Sequence, residues 1–197
     1  MDTSSSFEHG SIKIIEDFLP KSYADTLETI CKSMPWYLYE NISGFVKSDS
    51  SEVNTNNFQF GFSHVAFMDG VKKSEEFENI LPLIYFMEEK TGIKVNELYR
   101  IRLALNTSIG VETQHNAHVD MEIPHKVLLY YVNDSDGDTV MYKEMHDLGL
   151  DLPESFSVYE RVKPEKNKAV IFDGWRYHSS SKPVSTATRF IINIDFN

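Results

Sequence analysis

The tripeptide His118-Val119-Asp120 places an imidazole and a carboxylate two residues apart. The surrounding residues favour a β-strand over residues 117–121. In a strand, residues i and i+2 project from the same face, so His118 and Asp120 can hold one metal ion while Val119 points into the opposite layer. Two ligands make a weak site, and this pattern alone arises by chance in many chains.

His178 offers a third ligand, because it follows an apolar predicted strand over residues 169–172 and a turn. Two imidazoles and one carboxylate on one side of a metal leave three octahedral positions open, as in non-haem Fe(II) oxygenases. Zinc would accept the same ligands in a tetrahedral site with one water. The residues therefore predict a metal centre and leave iron and zinc open.

Arg189 begins an alternating strand, residues 189–196, eleven residues beyond His178. A guanidinium that enters an interior lined by Phe and Ile needs an anionic partner, because an unpaired buried charge is costly. A dicarboxylate co-substrate would supply that partner through two parallel hydrogen bonds. Pairing with a surface acid such as Asp195 or Glu112 is the alternative.

These pieces resemble the catalytic core of the Fe(II)/2-oxoglutarate-dependent dioxygenases, and most closely the prolyl-4-hydroxylase-like branch. The similarity covers residues 98–197, about half of the chain, and the stretch "IKIIEDFLPKSYADTLETI" resembles the family's lead-in strand and helix. The matching pieces occur in the family's order: HxD, YYVND, a Gly-x-Thr turn, a Pro-x-x-x-x-Ala strand, the distal His and the Arg. Several pieces in order are more specific than any one of them.

The resemblance implies that three residues bind Fe(II) and carry catalysis: His118, Asp120 and His178. It also implies that 2-oxoglutarate chelates the iron through its C1 carboxylate and keto oxygen, leaving a position for O₂. Arg189 would hold the distal carboxylate of 2-oxoglutarate, helped by the hydroxyl of Tyr131. A residue on the strand before HxD would also contact the co-substrate, and Asn106 and Tyr99 are both candidates.

The reaction implied is hydroxylation of an aliphatic C–H bond, coupled to decarboxylation of 2-oxoglutarate to succinate. A peptidyl or free proline is the first substrate to consider, by family analogy alone. Many prolyl hydroxylases have Lys where this chain has Arg189, which leaves other amino acids and small metabolites open. Trp175 and Arg176, beside His178, either line the substrate entrance or close a turn.

The predicted fold is α+β and mainly β: a double-stranded β-helix of the jelly-roll, cupin-like type, with N-terminal supporting helices. Residues 1–10 read as a polar tail, and residues 11–197 as one dioxygenase domain with its catalytic core at about 98–197. One helix begins at Pro20, and a second is capped by Ser74 and ends at Gly92. Residues 36–57 read as an irregular loop, and whether it acts as a substrate lid is left open.

Composition limits the function classes. The net charge of −11 disfavours nucleic acid and anionic lipid as partners, because both are bound through Lys and Arg. The single cysteine, Cys31, rules out an intrachain disulfide, and no apolar run is long enough to span a membrane. We therefore expect a cytoplasmic protein that acts on a small-molecule or peptidyl substrate, of undetermined oligomeric state.

Two other function classes stay open. One is a cupin-like protein that binds zinc or iron without 2-oxoglutarate. The other is an interaction module that has kept the barrel and lost activity, against which the intact His-Asp-His set counts. Arg189 separates the first class from the dioxygenase, since a buried Arg189 facing the metal favours a co-substrate and an exposed one does not.

Overall fold

The computed structural model describes residues 9–43, 59–149 and 151–197. It contains three helices, α1 (Lys21–Ser33), α2 (Glu76–Ile80) and α3 (Pro82–Thr91). Its first strands are β1 (Ile12–Ile15), β2 (Tyr37–Tyr39), β3 (Gly61–Met68), β4 (Val71–Lys72) and β5 (Leu98–Thr107). The remaining strands are β6 (Lys126–Tyr131), β7 (Thr139–Met145), β8 (Val158–Val162), β9 (Ala169–Asp173), β10 (Arg176–Ser180) and β11 (Thr188–Phe196).

The strands form a major and a minor antiparallel sheet. The major sheet runs β1-β9-β6-β11-β5-β3-β2, with β4 paired to β3, and the minor sheet runs β10-β7-β8. Two isolated bridges, Gln114 to Ser181 and His118 to His178, attach the segment before β6 to the minor sheet. The prediction of an α+β, mainly β architecture with a double-stranded β-helix is confirmed.

Alternation along β11 explains how one strand serves two environments. Phe190, Ile192, Ile194 and Phe196 pack into the cluster that also receives the helices. The residues between them face the minor sheet, because successive side chains in a strand project from opposite faces. The polar members of that second set are Arg189, Asn193 and Asp195, each no more than 3% exposed. A strand that is apolar on one face and charged on its other, equally buried face is a sign of a functional interior.

The helices cover the outer face of the major sheet. Leu27 and Cys31 of α1 and Met87 of α3 are buried in the cluster against it. Gly92 ends α3 with a left-handed φ of 74°, as the sequence predicted. Ser74 does not cap the second helix, because the helix begins after Glu75 and the buried Ser74 hydroxyl has no partner among the described residues. The predicted helix is also interrupted before Pro82, which begins a separate helix, α3.

Other local predictions need correction. Residues 117–121 do not form a strand: only His118 makes a bridge, and a bend follows at Asp120. The turn predicted before His178 is present at residues 174–175, but the β10 strand that follows it was not predicted. Within the predicted loop, β2 forms an edge strand, whereas residues 44–57 lie outside the described residues, as do residues 1–8 of the tail.

None of the helices in the described part of the chain is both long and apolar enough to cross a membrane.

Candidate active site

His118, Asp120 and His178 converge between the two sheets. Their ligand atoms all lie within 4.8 Å of one another. The backbones of His118 and His178 exchange two hydrogen bonds, with N···O distances of 2.9 and 3.0 Å, and this bridge brings both rings to one place. The side chains therefore meet without the regular strand that the sequence predicted.

Both imidazoles are oriented by main-chain carbonyls. The Nδ1 of His118 lies 3.0 Å from the carbonyl of Asn116, and the Nδ1 of His178 lies 3.1 Å from that of Arg176. A carbonyl only accepts, so each Nδ1 carries the proton and each Nε2 keeps its lone pair. Burial and the neighbouring His178 lower the pKa of His118 to about 3. The neutral ring that results is the form that binds a metal.

Asp120 is held from two sides. Its Oδ1 accepts a hydrogen bond from Arg100 Nη2 at 2.5 Å, and its Oδ2 accepts one from Asn193 Nδ2 at 3.0 Å. Oδ2 also lies 3.4 Å from His178 Nε2, so it is the oxygen that faces the ligand cluster. Burial favours the protonated acid, but the charge of Arg100 and the contact with His178 hold the pKa of Asp120 well below its usual value. Asp120 is therefore an anion ready to bind a cation.

Arg100 joins Asp120 to a second buried carboxylate. Its Nε donates to Asp195 Oδ2 at 2.6 Å. Burial and the nearby Asp120 charge raise the pKa of Asp195 to about 7, against the opposing effect of Arg100. One guanidinium thus serves two acids, only one of which belongs to the ligand cluster.

A pocket opens beside the two histidines. It encloses about 470 Å³, including the part open to solvent. Its apolar walls come from both strands and loops, including Ile42, Val127, Leu129, Phe172 and Ile191. Its polar lining includes Arg102, Asn106, Thr139, Arg189 and Asn193. The pocket therefore combines apolar walls with a few converging polar groups, as ligand sites do.

Arg189 lies in this pocket and is only 1% exposed. Its Nη2 donates to Thr139 Oγ1 at 2.6 Å, its Nε has no hydrogen-bond partner, and it makes no ion pair within the described residues. Burial lowers the pKa of this guanidinium, which shows how poorly the site solvates the charge. Of the two acids considered from the sequence, Asp195 is itself buried and pairs with Arg100, and Glu112 makes no ion pair with Arg189. An anionic ligand would therefore relieve the cost.

Tyr131 and Asn106 both lie near Arg189. The Tyr131 hydroxyl donates to Thr139 Oγ1 at 2.7 Å, and the Arg189 guanidinium lies 5.7 Å from the centre of the Tyr131 ring, so Tyr131 contacts Arg189 both directly and through Thr139. Asn106 pairs directly with Arg189 in the β5–β11 register, and its Oδ1 is buried without a partner among the described residues. Tyr99, the alternative to Asn106, is not part of the pocket lining.

Thr139, Arg100, Arg102 and Asn193 were missed from the sequence. A signal was present for three of them: Arg100, Arg102 and Asn193 occur on strands whose neighbouring residues are apolar. Trp175 does not line the pocket; its indole donates to the carbonyl of Ile123 at 2.9 Å, which favours the turn-closing reading. Arg176 likewise donates to the carbonyl of Tyr142 at 2.5 Å.

No family model and no curated protein matches the sequence. Solved structures do match. An oxidoreductase of the 2OG-Fe(II) oxygenase family from Burkholderia pseudomallei aligns with TM-score 0.62 and 9% identity, over 94% of this chain and 85% of that one. A prolyl-4-hydroxylase from Pseudomonas putida aligns with TM-score 0.58 and 12% identity, over 95% and 93%. HygX from Streptomyces hygroscopicus, solved with nickel, 2-oxoglutarate and hygromycin B, aligns with TM-score 0.60 and 9% identity, over 97% and 84%. The chain therefore has the fold of the 2OG-Fe(II) oxygenases, prolyl-4-hydroxylases among them.

Proposed function

We propose that this protein is an Fe(II)/2-oxoglutarate-dependent dioxygenase that hydroxylates an aliphatic C–H bond. The observation that carries the proposal is the presence of a His-Asp-His ligand cluster and a buried, unneutralised Arg189 at one pocket. A metal-binding protein without a co-substrate would have no use for such a charge. The fold of the solved relatives supports the same conclusion.

The donor set fits a divalent iron. His118 and His178 would bind through Nε2, because Nδ1 of each ring is already hydrogen-bonded. Asp120 would bind through Oδ2, because this oxygen lies 3.4 Å from His178 Nε2. Two imidazoles and one carboxylate leave positions free for further ligands. When bound, iron, 2-oxoglutarate and O₂ would supply the oxidation, with succinate and CO₂ as the co-products.

The chain's own residues would position the co-substrate and keep water out. Arg189 would bind the distal carboxylate of 2-oxoglutarate, with Thr139 fixing the guanidinium and Tyr131 fixing Thr139. Asn106 would contact the co-substrate beside Arg189. The apolar walls would lower the local dielectric, which strengthens the contact between Arg189 and a carboxylate.

An anaerobic titration tests this proposal. Fe(II) and then 2-oxoglutarate are added to the apo-protein while the weak visible charge-transfer band of the chelate is followed. We expect the band in the wild type, no band in His118→Ala, and a need for at least tenfold more 2-oxoglutarate in Arg189→Ala. Arg161→Ala, which removes a half-exposed surface cation, is the matched control and should behave as the wild type.

The result that contradicts the proposal is metal binding without any band, or an Arg189→Ala titration that superimposes on the wild type. The second function considered from the sequence, a cupin-like metal protein, would then be the better description. Melting temperatures of all variants show whether a lost band reflects unfolding instead.

The substrate is a separate question. Proline, peptidyl or free, is the first candidate, and solved relatives include a prolyl hydroxylase bound to a peptide fragment. Other relatives are described as an epimerase and a carbocyclase. Mass spectrometry of reactions with proline and with proline peptides distinguishes a gain of one oxygen from a change without oxygen insertion.

A further inference from the structure

The pocket contains a second guanidinium that the proposed co-substrate does not use. Arg100, Arg102, Ala104 and Asn106 alternate along β5, so their side chains project from the same face, toward the minor sheet. Arg100 is neutralised by Asp120 and Asp195. Arg102 is the next member of this row and lines the pocket.

Arg102 is poorly satisfied. Its Nη1 donates to the carbonyl of Ile42 across a long 3.4 Å, and its Nε is buried without a partner. It makes no ion pair within residues 9–43, 59–149 and 151–197. Burial and the charge of Arg100 lower the pKa of Arg102. A partly buried cation beside a second cation attracts an anion from solution.

Arg102 is separated from Arg189. In the β5–β11 register, Arg189 lies opposite Asn106, whereas Arg102 lies opposite Asn193. Four residues of strand, roughly 13 Å, separate the two positions. Asn193, the partner of Arg102, contacts Asp120, so Arg102 lies near the ligand cluster. Arg189, the partner of Asn106, lies farther from it along the same pair of strands. Once 2-oxoglutarate has one carboxylate on the metal and the other on Arg189, it has none left for Arg102.

An unpaired acceptor lies beside Arg102. Asn193 Nδ2 donates to Asp120, which fixes the amide so that its Oδ1 points elsewhere, and this Oδ1 is buried without a donor among the described residues. The hydroxyl of Ser43, another lining residue, is also without a partner there. A cation next to a buried carbonyl oxygen complements a carboxylate next to an ammonium group, which is the pattern of a free α-amino acid.

We propose that Arg102 binds the α-carboxylate, and Asn193 Oδ1 the ammonium group, of a free amino-acid substrate. This inference rests on the proposed function, since it assigns Arg189 to 2-oxoglutarate. It separates the substrate classes that the sequence left open, because an internal peptidyl proline has neither a free carboxylate nor an ammonium group. Arg102 and Asn193 are then specificity-determining residues of the site.

Binding rather than turnover tests this inference. Protein loaded anaerobically with Mn(II) and 2-oxoglutarate is screened by thermal shift against the free proteinogenic L-amino acids, proline included. Each hit is compared with its carboxamide by calorimetry, together with a blocked peptide carrying an internal proline. We expect at least one amino acid to bind, its carboxamide to bind at least tenfold more weakly, and the blocked peptide not to compete.

Variants locate the effect. In Arg102→Gln the acid and its carboxamide should bind equally, whereas Arg102→Lys should keep part of the preference for the acid. The affinity for 2-oxoglutarate should stay within twofold of the wild type in both variants. The comparison of acid with carboxamide in the wild type needs no substitution, so it holds even if a variant folds poorly.

Four outcomes overturn the inference: no amino acid binds the loaded protein, the carboxamide binds as tightly as the acid, only the blocked peptide binds, or Arg102→Gln loses 2-oxoglutarate. The last result would assign Arg102 to the co-substrate. Failure of the proposed function looks different, because the Mn(II)-loaded wild type would then fail to bind 2-oxoglutarate at all.

Discussion

At the scale of single residues, the arrangement of charges decides what the site can bind. Arg100 keeps Asp120 ionised and binds its Oδ1, while Oδ2, which accepts from Asn193, faces the ligand cluster. The same guanidinium reaches Asp195, whose pKa is raised to about 7 by burial and by Asp120. Arg100 is therefore a positioning residue that acts through Asp120.

Replacing Arg100 by Gln should weaken metal binding by about 10- to 100-fold, because groups that orient a ligand contribute that much. The loss should be greater at pH 6 than at pH 8, since Asp120 and Asp195 would then share a proton that the metal must displace. Mn(II) titrations followed by electron paramagnetic resonance measure the affinity.

Arg100→Lys keeps the positive charge but cannot form the same hydrogen bonds to both acids. Its affinity for the metal should therefore lie between those of the wild type and Arg100→Gln. Arg161→Gln serves as the surface control, because its partner Asp138 lies outside the ligand cluster. An Arg100→Gln protein with wild-type affinity at both pH values would show that Arg100 only supports the fold.

At the scale of elements, the pocket is shaped by how closely β3 approaches its neighbours. Gly61 begins β3, and a Cβ added there would lie 2.5 Å from Ile42 Cδ1 and 2.8 Å from Asn106 Oδ1. Glycine is therefore needed at this position because there is no space for a Cβ, and not because the backbone adopts a left-handed conformation. The approach brings the Ile42 loop against Asn106 at the pocket.

Gly61→Ala should lower the free energy of unfolding by about 1–3 kcal/mol through overpacking, and it should weaken 2-oxoglutarate binding by displacing Asn106. Adding Ile42→Val removes the closer of the two clashing atoms. The double variant should regain stability while its 2-oxoglutarate affinity stays low. Urea unfolding and the anaerobic titration separate the two effects, and recovery of both together would contradict the assigned role of Asn106.

The major sheet also separates two of the three hydrophobic clusters in the described part of the chain, an outer and an inner one. Leu27 of α1 packs with the helices on the outer face, whereas Leu129 of β6 belongs to the inner cluster and lines the pocket. None of the residues described as lining the pocket comes from the outer cluster. Stability and binding can therefore be changed separately.

Leu27→Ala should cost about 2–5 kcal/mol of unfolding free energy, as large-to-small core changes do. It should leave the 2-oxoglutarate titration within twofold of the wild type. Leu129→Ala is the matched change on the other face, and it should reduce both quantities. A Leu27→Ala protein that loses co-substrate affinity while still folded would show that the two faces are coupled.

At the scale of the whole molecule, buried titratable groups link stability to pH. Burial and nearby positive charges lower the pKa of both His115 and His118 to about 3. Between that value and their unfolded pKa of about 6.5, the unfolded chain binds more protons, so the stability they contribute is lost as pH falls. Asp195 acts in the opposite sense, because its pKa of about 7 exceeds its unfolded value.

These two histidines outweigh the one aspartate, and His125, whose pKa is also lowered by burial, acts in the same sense as the histidines. The metal-free protein should therefore lose at least about 1.5 kcal/mol of stability between pH 6.5 and pH 5. His115→Asn should flatten this dependence, because the Asn amide can both donate and accept a hydrogen bond with Ser180 and does not titrate. Urea midpoints measured with a chelator present give the profile. Stability that increases toward pH 5 would mean that Asp195 dominates.

Much of the fold was readable from local patterns. The apolar run at residues 169–172 predicted β9 and the alternating residues 189–196 predicted β11, each to within one residue. The helix predicted from Pro20 is α1. The strand predicted at residues 117–121 is wrong because only His118 in this segment pairs with another strand, through one isolated bridge to His178. The β10 strand was not predicted because its polar residues resemble a turn. In both cases long-range pairing overrode local preference.

The sequence by itself determined the chemistry that is available: the types and order of His118, Asp120, His178 and Arg189, and Asn106 as a candidate beside them. Only the tertiary structure decided which buried side chains form ion pairs and hydrogen bonds with one another. Arg100 meets Asp195 across 95 residues, and Arg189 meets Thr139 across 50. Such pairs depend on sheet register, and register is set by the packing of both faces at once, which no local stretch of sequence contains.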